Sequence, residues 1–453
     1  MTAGLGTANS GLDRGSRDGL AKGLGLWDAV SLTMGIMIGS GVFLMAGSVA
    51  LRLDSLWPVV AAWTFGGLLS LCGAVALSEL GASLPAAGGL YVYLVEAYGR
   101  RTGFVYGWSA MALIHAGSIA TLASAVGLYA APALSLSPAQ QKALQLFVIA
   151  AFVAFNCLGL VVGKCVQNAL TVAKLAGIAV MTILLYSGGS LDRLVENMVP
   201  GETGLSWSLF GAALIAVLWA YDGWHSVSFA ASEVKDPSRT IPRSLLIGTG
   251  LTIGIYLLVN VAYYAVLPAA EIRGVDRAAA AAVGRAYGEV AAAGISALIV
   301  VSILGTMNGL VLSTSRVPWA LANDGLFFRA FATVHPRFRT PVVATVGQGA
   351  FAAVFTLVGT FQQLFTSYVF TSWIFYGLAV GAVIVLRHRR PDLPRPYRCP
   401  WYPATPIFFV IATLGIVVST FLASFWQALL GVALILAGLP LYTVFNGLER
   451  RRR

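Results

Sequence analysis

The sequence predicts an all-α polytopic membrane protein: twelve transmembrane helices, ten of them in a 5+5 inverted repeat, followed by two C-terminal helices. Three observations carry this. Of 453 residues, 58% are hydrophobic and only 10% charged, too few charges to coat a water-soluble surface. Twelve apolar stretches approach the roughly 20 residues that cross a hydrocarbon core. Two of them, at equivalent places in the two halves, are interrupted by residues that break helices.

In order, the predicted spans cover about 27–50, 56–81, 103–131, 143–162, 166–187, 207–231, 243–267, 289–315, 341–359, 362–386, 404–424 and 426–446. They form a single transmembrane domain over 23–446, with repeat one at about 27–187, repeat two at about 207–386 and the extra helices at about 404–446. Residues 1–22, rich in Gly, Ser and charge without an apolar run, read as a disordered cytoplasmic tail and not as a signal peptide. Residues 447–453 read as a basic cytoplasmic tail.

The net charge of +11 would suggest nucleic acid in a soluble protein, but here its placement decides against that reading. With the N-terminus inside, most of the 29 Lys and Arg residues fall in cytoplasmic segments, densest at Arg387–Arg398 and Arg450–Arg453. This is the positive-inside pattern with both termini cytoplasmic. Binding of anionic lipid is the lesser reading of the same clusters. Cys72, Cys157, Cys165 and Cys399 fall in spans or at cytoplasmic ends. No structural disulfide, metal-ligand spacing or external cysteine for an accessory subunit is expected.

The interrupted stretches read MGIMIGSGVFLM over Met34–Met45 and LWAYDGWHS over Leu218–Ser226. Glycine costs a helix about 1 kcal/mol relative to alanine, and in lipid the freed backbone groups must find new partners. Such breaks therefore line cavities. Five spans per half is odd, so the halves are inverted, and a break opening each half points to the substrate site of a secondary transporter.

Four motifs carry a further resemblance: GSGVF at Gly39–Phe43, ELGASLPAAGGLYVYLVEAYG at Glu79–Gly99, WAYDGW with EVKDPSRTIPRS at Glu233–Ser244, and SILGTMNGLVLSTSR at Ser302–Arg316. In this order and at these depths the chain resembles the amino acid, polyamine and organocation (APC) transporter superfamily, and within it bacterial relatives of the L-type amino acid transporters. The resemblance implies the leucine-transporter-like fold and residence in a plasma membrane, here a bacterial inner membrane.

A free amino acid brings a carboxylate and an ammonium into the membrane. Unwinding near Gly39 leaves the amides of Ser40, Gly41 and Val42 at a helix N-terminus suited to the carboxylate. Carbonyls near Met37, Ile38, Trp219 and Ala220 are the expected acceptors for the ammonium. The expected binding set is thus Ile38, Gly39, Ser40, Gly41, Val42, Trp219, Ala220, Tyr221, Asp222 and Gly223. Close helix packing is the plain alternative for GSG. The resemblance makes Trp219 the outer gate, with lipid or helix packing the alternative for Trp219 and Trp224.

Asp222, near mid-membrane, either caps the second half of its helix through the N–H of Trp224 or His225, or faces a cation or proton path. Lys174 either snorkels to the cytoplasmic edge or, as the resemblance implies, replaces a sodium ion and holds the first and eighth helices together. Asn308, with Ser302 and Thr306, either supports the breaks or bridges neighbouring helices. His115 is either a pocket residue or a packed histidine. Glu79, Glu96 and Glu233 are expected in gate or loop ion pairs.

GxxxxGK[ST], HExxH and GxSxG are absent, which argues against an ATP-driven pump and against an enzyme. No cofactor is expected. The reading is sodium-independent exchange or facilitated movement of small to medium neutral amino acids by alternating access. A cationic amino acid or polyamine carrier is the nearest rival, then a channel or receptor.

Overall fold

A computed structural model describes residues 19–199, 206–358 and 361–450. The expected disordered tail falls outside the described residues up to position 18, as does the end of the basic tail. The described residues are helical throughout, with one isolated parallel bridge, Leu24 to Val234, and no strand. Among the described residues ten helices are long and apolar enough to span a membrane, and Trp207–Ala220 and Val342–Val358 are two shorter apolar helices.

The first span is α1 (Leu26–Met37) and α2 (Gly41–Arg52), and the second is α3 (Leu56–Ser83). After the short α4 (Leu90–Tyr98), the third span runs through α5 (Arg100–Ser109), a π turn (Ala110–Ile114) and α6 (His115–Leu134). The fourth and fifth are α7 (Pro138–Cys157) and α8 (Leu160–Gly188), with α9 (Leu191–Met198) beyond. The sixth is α10 (Trp207–Ala220) followed by a 3₁₀ segment (Ser226–Glu233), and the seventh is α11 (Pro237–Val266). After α12 (Ala269–Ile272) and α13 (Ala278–Tyr287), the eighth is α14 (Glu289–Thr314) continued by α15 (Arg316–Asn323). The rest are α16 (Val342–Val358), α17 (Phe361–Arg389), α18 (Ala404–Ala423) and α19 (Phe425–Arg450).

Packing shows why two halves make one body. The second span lies on the seventh, the third on the eighth and the fourth on the ninth, and α2 lies on α10. The third span also packs on the tenth, just as the eighth packs on the fifth. Each contact within this set maps onto itself or its counterpart when the halves exchange roles. That is the signature of a pseudo-two-fold axis between repeats.

The first span sits at the centre, with 89% of its apolar window buried, and the twelfth at the edge, with 17% buried. Leu414, Val418, Leu422, Leu430 and Leu436 are exposed on the last two helices, where an apolar surface meets lipid.

Several boundaries differ from expectation. The twelfth span continues to Arg450, because Glu449 is held by the Arg100 guanidinium at 2.6 Å, so 447–450 belong to a helix and not to a tail. Before the first span, Leu20 is buried and the carbonyl of Gly19 accepts from Arg339 at 3.0 Å, so chain packing begins at the end of the expected tail. The fifth span begins at Leu160, earlier than expected, which changes the reading of Lys174.

Candidate functional site

The first break occupies three residues. Ile38 leaves helical geometry at ψ 78°, and α2 restarts at Gly41 with Ser40 as its N-cap. Among the described residues the amides of Ser40, Gly41 and Val42 have no acceptor, and the buried Ser40 hydroxyl has no partner either. These are the orphan donors at the positive end of a helix dipole. A Cβ on Gly41 would stand 2.5 Å from Ala220 Cα, so only glycine lets the two breaks cross. The second break runs through 221–225, where Gly223 takes φ 109° and lies against Ile36 and Met37.

Both breaks open on one small cavity of about 50 Å³. Gly39, Ser40, Gly41, Trp219, Ala220, Asp222 and Gly223 line it, joined by His115 and Ser118 from the third span, Thr306 and Thr314 from the eighth, and Tyr368 and Tyr376 from the tenth. Ile38, Val42 and Tyr221, expected in this set, are not on its wall. Tyr221 turns toward the second and seventh spans, its ring 5.7 Å from Trp63 and 4.9 Å from Tyr256. Val42 is wholly buried, and Ile38 serves through its carbonyl on the other side of the break.

That carbonyl belongs to a cation nest. Lys174 Nζ donates to the carbonyl oxygens of Ile38 at 2.6 Å, Gly35 at 2.8 Å and Ser302 at 2.9 Å, and to Thr306 Oγ1 at 3.3 Å. Ser302 Oγ reaches Ile38 O and Gly39 O at 3.1 and 3.2 Å, and Thr306 Oγ1 reaches Gly35 O at 2.9 Å. With α8 starting at Leu160, Lys174 lies 14 residues along it, about 21 Å at 1.5 Å per residue. It is fully buried, so snorkelling is ruled out by depth.

The carbonyls expected to hold an ammonium already accept hydrogen bonds from the protein. The Tyr256 hydroxyl lies 2.6 Å from Met37 O and 2.9 Å from Ala220 O and shares its one proton between them, tying the two breaks together. Trp219 O accepts from the Asp222 amide at 3.0 Å. The sequence hid this because Tyr256 lies in an apolar span remote from both breaks. Its one signal is a tyrosine at mid-span, whose hydroxyl must find a partner.

Asp222 does not cap through Trp224 or His225. Its Oδ1 accepts from its neighbour's amide, Gly223 N, at 2.9 Å and from Tyr376 OH at 2.8 Å. The carboxylate faces the cavity, with no cation bonded to it among the described residues. Asn308 is a bridge away from the cavity: it donates to Gly163 O and Gln167 Oε1 at 3.1 and 3.0 Å and accepts from Asn156 at 3.0 Å. His115 lies on the cavity wall, directly after the π turn in the third span.

Trp219 forms the roof. Its indole N–H donates to Tyr368 OH, and its ring meets Phe365 edge-on at 5.0 Å. Phe365 also lines a wide vestibule on the far side, walled by Ser48, Arg52 and Asp276. The floor is sealed differently. Arg316 forms a two-pronged ion pair with Glu233 at 2.6 and 2.8 Å, both side chains almost wholly buried. The amides of Gly23 and Leu24 donate to Glu233 O at 2.9 and 3.0 Å, and Gly88 N to Phe229 O at 2.9 Å. Glu79 pairs with Arg387 and Arg395, and Glu96 with Arg390.

The amino acid permease family matches residues 24–444. The chain is 33% identical to the serine/threonine exchanger of Bacillus subtilis over 439 residues, covering 96% of this chain and 98% of that protein. It is 29% identical to the human b(0,+)-type amino acid transporter 1, covering 94% and 88%. With the human cystine/glutamate transporter the identity is 28%, covering 96% and 87%. A full-length match over a multi-pass helical fold with two broken spans leads to one conclusion: the chain belongs to the amino acid permease family, within the APC superfamily.

Proposed function

We propose that this protein is a sodium-independent exchanger of small to medium neutral amino acids, working by alternating access in a plasma membrane with both termini cytoplasmic. The observation that carries the proposal is the shared cavity at the two breaks, where unpaired amides of α2 and the Asp222 carboxylate present opposite charge to one small space. The amides and the dipole of α2 take the substrate carboxylate. Met37 O, Ile38 O and Ala220 O already accept hydrogen bonds from the protein, and Asp222 on the cavity wall supplies the negative charge that partners the ammonium. Trp219 closes over the bound zwitterion, and the Glu233–Arg316 lock opens afterwards.

Sodium independence is supported by Lys174, whose ammonium fills a carbonyl nest of the kind a monovalent cation would need. Purified protein in liposomes is expected to exchange internal for external neutral amino acid equally well with sodium or choline outside. Lys174→Ala is expected to lose at least about tenfold of that rate in either salt, since one buried charge-assisted bond is worth about 1.5–3 kcal/mol. A requirement for sodium in the parent protein would refute the reading.

A cationic amino acid carrier is the second reading, favoured by Asp222 on the cavity wall. Asp222→Asn separates the two. Loss of alanine, leucine and arginine exchange together fits an ammonium site, whereas selective loss of arginine makes Asp222 a side-chain site and the carrier a cationic one.

A further inference from the structure

One part of the cavity is left unexplained by a site for the two charged ends of an amino acid. His115 from the third span and His225 from the second break are both 4% exposed and both line the cavity. Their rings approach the same partner, Phe229, each edge-on at 5.3 Å. His225 is further held by Tyr376 at 4.6 Å and Trp224 at 5.1 Å. Neither imidazole makes a hydrogen bond among the described residues, and the Nδ1 atoms of both are buried without a partner. Ser226 Oγ, on the same wall, is also buried and unpartnered.

A neutral imidazole carries one donor and one acceptor. Two such rings and a hydroxyl, all unsatisfied, are costly in an apolar membrane interior unless something in the cavity completes them. Aromatic packing on Phe229, Tyr376 and Trp224 fixes ring positions without using a nitrogen, so the polar edges stay available. Water, or a ligand that both donates and accepts, can complete them.

Resting on the exchange function proposed above, we propose that His115, His225 and Ser226 form the side-chain compartment. It selects amino acids whose side chains carry an uncharged group that donates and accepts hydrogen bonds, a hydroxyl or a carboxamide. An aliphatic side chain of equal size would leave the same three groups unpaired. That asymmetry is the strong form of discrimination: a site built to bond a hydroxyl rejects the analogue lacking it far better than an apolar pocket rejects an extra methylene. The pocket's apolar share, from Ile114, Leu122 and Phe229, limits size without helping an aliphatic competitor satisfy the imidazoles.

The test uses near-isosteric pairs in proteoliposomes of the full chain, threonine against valine and asparagine against leucine. The parent protein is expected to favour the polar member of each pair by about tenfold or more in exchange efficiency. In His115→Phe/His225→Phe the threonine KM rises and the threonine-to-valine ratio falls toward one. His115→Gln, which keeps a donor and an acceptor, retains the preference, so a fold defect in the double variant does not decide the matter. Equal exchange of threonine and valine by the parent protein would overturn the inference, as would an undiminished ratio in a correctly folded double variant. Failure to exchange any amino acid would overturn the transport reading itself.

Discussion

Gly41 shows how one residue holds the site open. Its missing side chain lets Ala220 Cα come within a distance that any Cβ would forbid. Gly41→Ala is therefore expected to push the breaks apart and cut exchange by about tenfold or more, while the protein still elutes as a single species in detergent. Wild-type exchange by the variant would show that the crossing is not needed. The glycines, Ser40, Trp219 and Asp222 were legible in the sequence, because an interior Gly-Ser-Gly and a mid-membrane carboxylate each demand an explanation from local physics. Tyr221 and Ile38 were misplaced for the opposite reason: neighbours in a broken segment point in different directions, and spacing alone cannot say which face the cavity takes.

Among elements, the seventh span has a role that its apolar sequence conceals. The Tyr256 hydroxyl shares its one proton between the end of α1 and the end of α10, so it clamps the two breaks to each other. Tyr256→Phe removes the one donor shared by two buried carbonyls, leaving Met37 O with the Gly39 amide alone, and is expected to destabilise the protein by about 1–3 kcal/mol. The loss should be readable as a lower unfolding temperature together with reduced exchange; an unchanged temperature would assign the clamp elsewhere. The order of the apolar helices was legible because a bilayer demands long apolar helices; ten of the twelve expected spans are long enough among the described residues, and Trp207–Ala220 and Val342–Val358 are shorter. The break partners were not, since a contact between the first and seventh spans leaves no periodic trace in either. The early start of α8 was hidden too: Lys164 lies within its first turns and pairs with Asp28 at 3.1 Å, so a charge that looked like loop is part of a helix.

Across the whole molecule, the described residues close the cavity on one side with the buried Glu233–Arg316 pair and separate it from the vestibule on the other by a thin aromatic roof; with both termini cytoplasmic, as proposed, the sealed side is the cytoplasmic one. A buried ion pair stabilises the sealed state chiefly because breaking it strands a charge, which costs about 3–5 kcal/mol. Glu233→Gln is thus expected to shift the population toward an inward-open form. In a background carrying Ser228→Cys, labelling from the cytoplasmic side should accelerate; unchanged labelling would show that the pair does not hold the gate. The central claim, that the crossed breaks grip both ends of a zwitterion, is tested most directly by competition in counterflow. The amino acid exchanged fastest is compared with its methyl ester, which lacks the carboxylate, and its N-acetyl derivative, which lacks the ammonium. The account predicts that only the free amino acid competes at comparable concentration, and equal competition by either derivative would contradict it.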